Sequence, residues 1–211
     1  MSELKTIEQK KSLSKVNGIV YRSDEEIIIN PKRSRISQLD DIPLPAWDLF
    51  PLENYLSNNL GYGVNPGRTM PMLISRGCPY QCTFCSSPSM WTTRYVMRDP
   101  KEIVDEMEWL VKEYEANDFE FFDLTAIIKK SWILDFCNEL KKREINNITW
   151  QLPVGTRSEA LDEEALKAIY DSGCAYICYA PESGSEKSLN MIKKRVKLDR
   201  LVESIKAAAK I

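Results

Sequence analysis

Cys78, Cys82 and Cys85 stand at CxxxCxxC spacing in the segment Ser75-Arg-Gly-Cys78-Pro-Tyr-Gln-Cys82-Thr-Phe-Cys85. Thiolates are soft ligands, suited to iron–sulfur clusters or to zinc. Three thiolates on a four-iron cubane leave one iron without a protein ligand. That iron can take an exogenous ligand, by the logic of the open position in a catalytic zinc site. The alternative is a structural zinc site completed by a fourth cysteine, for which Cys137, Cys174 and Cys178 are the candidates. Cys137 falls among Trp132, Ile133, Phe136 and Leu140 at helical spacing, where a plain core cysteine belongs. Cys174 and Cys178 lie in a strand-like run, which sets their Cα atoms ~13 Å apart, too far to share one metal. All three therefore read as core residues.

The rest of the composition narrows the chemistry. The chain has no histidine, which excludes an imidazole base or ligand of its own, and with it Ser-His-Asp triads and HExxH zinc sites. A net charge of −2 gives no strong pull toward nucleic acid or an anionic membrane. The polar start, residues 1–16, carries no signal-like apolar run, and no later run is long enough to span a bilayer. The expected location is the cytoplasm, where thiols stay reduced and six cysteines read as metal ligands or core before disulfides.

The elements that must position the thiols follow from periodicity. Residues 18–22 and 26–30 flank Ser23-Asp24-Glu25 and read as a hairpin. Pro43, Pro45 and Pro51 favour an extended connector. From about residue 69 the pattern alternates. Strand-like runs at 70–75, 119–124, 148–154 and 175–180 are each followed by a helical segment. The first helix begins with Asp99 as N-cap, Pro100 at N1 and Glu102 at N3, and carries Ile103, Met107, Leu110, Val111 and Tyr114 on one face. The third runs from Asp162 toward Gly173, a fitting C′ residue, and the fourth contains Leu198, Leu201, Val202 and Ile205. Such repeats are parallel βαβ units, either half of an eight-fold barrel or most of an open doubly wound sheet. In both, function sits at the carboxyl ends of the strands.

The cysteine motif directly after the first strand resembles that of the radical S-adenosylmethionine (SAM) superfamily. Asn17-Gly-Ile-Val-Tyr and Leu39-Asp-Asp-Ile-Pro-Leu-Pro-Ala-Trp resemble the connector before the core in its cobalamin-binding branch. The resemblance implies an α/β fold, a partial (β/α) TIM-type barrel of about four βα units over residues 61–211, after an irregular hairpin extension over residues 1–60. It implies that Cys78, Cys82 and Cys85 hold a 4Fe-4S cluster whose open iron is chelated by the amine and carboxylate of SAM. Reductive cleavage would then give methionine and a 5′-deoxyadenosyl radical that takes hydrogen from a substrate. The implied partners are a flavodoxin- or ferredoxin-type electron donor and a substrate the sequence does not identify.

The resemblance also implies roles for single residues. Phe84 matches an aromatic position whose backbone contacts the adenine; the alternative is packing. Asp123, sharing a face with Phe119 and Phe121 by alternation, would face the barrel mouth and hold the SAM amino group; the alternatives are a helix N-cap or a loop salt bridge. Relatives of this branch often carry two acids in tandem, whereas here Leu124 follows. Glu182 and Ser183, in Tyr179-Ala-Pro-Glu-Ser-Gly-Ser185, would bond the SAM ribose or carboxylate, with Ser185 equally an N-cap. Arg157 would pair with the SAM carboxylate, or else with Glu159 or Asp162. Cobalamin is not expected from this chain, which offers no upstream cobalamin domain and no histidine. The family core usually has six units, so the pattern is expected to leave strand four as an open edge inviting a completing chain or a second copy. A cluster-binding fragment without turnover, half of a split enzyme and a zinc module remain as competing readings.

Overall fold

The computed structural model describes residues 12–64, 66–157 and 160–211. It divides into two compact units, residues 1–37 and 38–211. The first holds the expected hairpin, β1 (Val20–Ser23) against β2 (Glu26–Ile29), antiparallel with Ser23 opposite Glu26. Asn30 ties this unit together, its amide donating to the carbonyls of Leu13 and Val16. The division after residue 37 falls within the extension expected over residues 1–60. The connector carries Leu39 and Leu56, both buried, and Leu56, in the short helix α1 (Leu52–Leu56), joins the core of the second unit. Apolar residues in an extended segment draw it onto the nearest core, whatever its backbone form.

The second unit is built on a parallel sheet in the order β3 (Thr69–Met72), β6 (Asp118–Phe121), β7 (Thr149–Thr156), β8 (Cys174–Tyr179). Between β3 and β6 lie α2 (Ser87–Trp91) and the paired short strands β4 (Ser75–Arg76) and β5 (Val96–Met97). The sheet strands are followed by α3 (Pro100–Tyr114), α4 (Lys130–Lys142), α5 (Glu163–Asp171), and then α6 (Glu186–Met191) with α7 (Leu198–Ala208). Strands that are neighbours in sequence are neighbours in the sheet, as expected of stacked βαβ units.

The helix starts agree with their sequence signals. The Asp99 carboxylate accepts from Lys101 N at 2.8 Å, ahead of Pro100. Asp162 accepts from Ala165 N at 3.0 Å. Gly173 follows α5 with φ +95, and a Cβ there would press on the Ile148 carbonyl, so glycine is required. All five residues of the predicted α4 stripe, Trp132, Ile133, Phe136, Cys137 and Leu140, are buried. Phe136 meets Phe121 and Trp150 edge-on and stacks on Trp132. This aromatic cluster joins β6 and β7 to α4. On α3 the structure adds a buried acid the pattern did not suggest. Glu106 pairs with Arg98 at 2.5 Å, and Asp40 of the connector pairs with the same guanidinium at 3.1 Å.

The opposite face of the sheet is polar near its amino end. Gln151 donates to Asp118 at 3.0 Å and to the Val64 carbonyl at 3.1 Å, while its oxygen accepts from Val64 N at 2.8 Å. Gly63 lies so close that a Cβ would collide with the Gln151 amide. The loop around it thus fills the sheet's inner face below the site.

Candidate functional site

The cysteine segment leaves the carboxyl end of β3 as a closed excursion. Its two ends are joined where β4 pairs antiparallel with β5, Ser75 opposite Met97 and Arg76 opposite Val96. Gly77 turns the chain out of this clasp at φ +88, where a Cβ would strike the Arg94 carbonyl. No local pattern marks the clasp, because two-residue strands carry no periodicity.

Within the excursion Cys78 and Cys82 are half-buried and Cys85 is exposed. Each thiol has a different polar neighbour. Cys78 Sγ lies 3.5 Å from Thr125 Oγ1. Cys85 Sγ accepts from Ser87 N at 3.4 Å. Burial pushes the Cys82 thiol up, and Lys194 and Arg157 offset this only in part. These contacts suit iron–sulfur ligation, in which thiolates accept hydrogen bonds and sit in positive surroundings. Among the described residues, no three Cys, Asp or Glu side chains converge on a point where one metal ion would sit. A cubane needs no such convergence, since each thiolate takes its own iron. The other cysteines stand apart from this loop in sequence and element. Cys137 is fully buried in α4, pushed up to about 11 by burial, and accepts from Ser172 Oγ at 3.3 Å. Cys174 and Cys178 lie on β8.

Asp123 lies beyond the end of β6. The strand ends at Phe121, so alternation does not carry through to position 123, and Phe119 and Phe121 face the helices rather than the mouth. The Asp123 carboxylate is 1% exposed. It accepts from Ile74 N at 3.1 Å and from Ser75 N and Ser75 Oγ at 2.5 Å each. Burial pushes the carboxyl up to about 6, although its three donors favour the ionised form. Asp123 fastens the chain entering the cysteine loop, through Ile74 and Ser75.

Arg157 reaches the cysteine loop. Its guanidinium lies 3.5 Å over the Tyr80 ring, inside the cysteine loop, and it donates to the Arg195 carbonyl. Asp162, its expected alternative partner, pairs with Lys130 instead. Glu159, the other alternative, lies outside the described residues. Glu182 adopts φ +63 and its carboxylate is held by Lys194 at 2.9 Å. Lys194 belongs to a segment bonded directly to the loop, since Thr83 N donates to the Ile192 carbonyl at 3.0 Å. Ser183 Oγ accepts from Ser185 N at 3.1 Å, and Ser185 caps α6 by accepting from Ser188 N. Phe84, 59% exposed, projects from the loop rather than packing in the core. Sequence reasoning missed Ser75, Tyr95 and Thr125. Tyr95 OH donates to the Ala126 carbonyl at 3.0 Å, and burial pushes its phenol up. Their roles come from long-range contacts that no local pattern encodes.

A parallel α/β sheet whose first strand opens into a three-cysteine loop defines the class, a partial TIM-type barrel. Residues 72–211 match the model of the radical SAM superfamily, and the chain belongs to that family. Its members are enzymes whose cofactors are a 4Fe-4S cluster and SAM. The chain is 30% identical over 186 residues to the anaerobic magnesium-protoporphyrin IX monomethyl ester cyclase of Rubrivivax gelatinosus, covering 88% of this chain and 32% of that protein. It is 32% identical over 185 residues to the cytidylyl-2-hydroxyethylphosphonate methyltransferase of Streptomyces wedmorensis, covering 85% and 34%. An uncharacterized methyltransferase of Pyrococcus horikoshii is 28% identical over 200 residues, covering 95% and 41%. The chain thus spans less than half the length of these relatives. Its fold is that of the cobalamin-dependent SAM radical enzyme OxsB, solved with aqua-cobalamin and SAM (TM-score 0.77, 20% identity), covering 99% of this chain and 30% of that one. The radical SAM methyltransferase TsrM of Kitasatospora setae, solved with cobalamin and a [4Fe-4S] cluster, matches at TM-score 0.70 and 14% identity, covering 99% and 41%. Among the described residues, no helix is long and apolar enough to cross a membrane.

Proposed function

We propose that Cys78, Cys82 and Cys85 hold one 4Fe-4S cluster and that this chain reductively cleaves SAM. The observation that carries the reading is the clasped loop at the carboxyl end of β3, with Cys78 beside the Thr125 hydroxyl, Cys85 accepting from Ser87 N, and Cys82 near Lys194 and Arg157. A cluster held there by Cys78, Cys82 and Cys85 would supply the electron for reductive cleavage of SAM. The chain's own residues hold the loop. Asp123 and Ser75 fix its entry, the β4–β5 clasp closes its base, and Arg157 braces Tyr80. Phe84, exposed beside Cys85, supplies backbone for the adenine, and Ser183 lies on the turn that faces SAM. Glu182 reaches SAM only by loosening Lys194. The electron arrives from a flavodoxin- or ferredoxin-type protein through the exposed Cys85 side. The outer edge of β8 is the place where a further strand or a second copy adds.

Anaerobic reconstitution with iron and sulfide tests the reading. The expected result is a brown protein with about four irons per chain, which binds SAM and releases 5′-deoxyadenosine with dithionite. A colourless protein that takes up zinc and no iron overturns it. Iron uptake without 5′-deoxyadenosine leaves the cluster and removes the cleavage. Sizing chromatography reads the β8 edge, where a strictly monomeric chain counts against a second copy.

A further inference from the structure

The hydroxyl of Thr125 sits where it can act on one thiolate and not on the other two. Thr125 is 3% exposed, at the end of the turn that follows β6. Its Oγ1 lies 3.5 Å from Cys78 Sγ and 2.7 Å from the Leu124 carbonyl, to which it donates. Its own carbonyl accepts from Ser75 Oγ at 3.3 Å, and Ser75 Oγ is bonded in turn to Asp123. Asp123, Ser75 and Thr125 therefore form a buried frame that fixes the hydroxyl against the Cys78 sulfur from outside the loop. A free thiol at Cys78 can donate to Oγ1, leaving the Thr125 proton on Leu124. A ligating thiolate has no proton to give, so at the same separation the proton must come from Thr125.

From this geometry we infer that Thr125 is a positioning residue that donates a hydrogen bond to Cys78 when the cluster is bound, and so raises the cluster's reduction potential. The inference rests on the cluster reading above. The physical reason is that a hydrogen bond withdraws charge from the thiolate and favours the state with one more electron. Cys85 receives a main-chain donor that no side-chain substitution removes, and the charges acting on Cys82 come from residues holding other contacts. Thr125 is therefore the place where one substitution changes one sulfur's hydrogen bond and leaves the ligand set intact.

The test compares reconstituted wild type, Thr125→Val and Thr125→Ser by iron content and by electron paramagnetic resonance during a redox titration. All three should bind about four irons. At the wild-type midpoint, the ratio of reduced to oxidised cluster should fall by about two- to tenfold in Thr125→Val, while Thr125→Ser stays near wild type. An unchanged ratio in a fully loaded Thr125→Val overturns the inference. If Thr125→Val loads poorly, Thr125→Ala, which leaves space instead of a methyl group, gives the same reading. Loss of iron in both variants also overturns it, because Thr125 would then hold the loop rather than tune the ligand. A wild type that takes up no iron defeats the cluster reading itself, a result distinct from either of these.

Discussion

The helix-facing side of the sheet and the cysteine loop are held by different forces. The first is an apolar interior in which Phe119, Phe121, Phe136 and Trp150 are essentially fully buried and interlock across β6, β7 and α4. The second leaves its thiols partly open and is fixed by a few polar attachments to its backbone, from Asp123 to Ile74 and Ser75, across the β4–β5 clasp, and from Thr83 to Ile192. The difference teaches that the frame and the loop are held separately. Packing keeps the frame rigid, while the loop takes its shape from hydrogen bonds to its backbone.

Five variants can break or sharpen that separation. Cys82→Ala should abolish iron uptake, from about four irons to almost none, and leave the urea midpoint of the metal-free protein within roughly 0.5 kcal/mol of wild type. A triple alanine variant of Cys137, Cys174 and Cys178 should keep its iron. Full iron retention in Cys82→Ala would remove it from the ligand set. Phe136→Ala should do the reverse. It should cost about 3–5 kcal/mol in urea denaturation, with iron per folded molecule unchanged. A loss of iron beyond the loss of folded protein would show that the loop depends on the aromatic cluster.

Asp123 links the two regions through a proton. Its carboxyl is raised by burial from an ordinary value of 3.8 to about 6, so the folded state binds the proton more tightly than the unfolded chain. Its contribution is present at low pH and is lost as pH rises through about 6, a fall of about 3 kcal/mol. Stability of the metal-free protein measured from pH 4 to 7 should therefore decline more steeply in wild type than in Asp123→Asn. Equal slopes would show that the carboxyl titrates as it does in the unfolded chain. The smallest effect is expected at Ser185, whose hydroxyl caps α6. Ser185→Ala should cost ~1 kcal/mol of stability and leave iron content unchanged, as measured by urea melts and iron assay.

What the sequence determined by itself was whatever repeats or is read locally. The α4 stripe from Trp132 to Leu140, the caps at Asp99 and Asp162, the turn at Gly173 and the CxxxCxxC spacing are all short-range patterns, and each appears in the structure at its expected residues. The hairpin and the four parallel βα units were legible for the same reason. Tertiary structure alone decided the direction of Asp123, because alternation predicts a side chain's face only while the strand continues, and β6 stops two residues short. It decided that Arg157 lies on Tyr80 and that Glu182 pairs with Lys194, since both partners come from segments remote in sequence. It drew the connector into the core through Leu39 and Leu56, where composition had placed it outside. It also set Thr125 against Cys78, a contact across 47 residues that depends on where the end of β6 meets the exit from β3. Local periodicity reports which face of an element is buried, whereas the partner of a buried polar group is fixed only when distant elements meet.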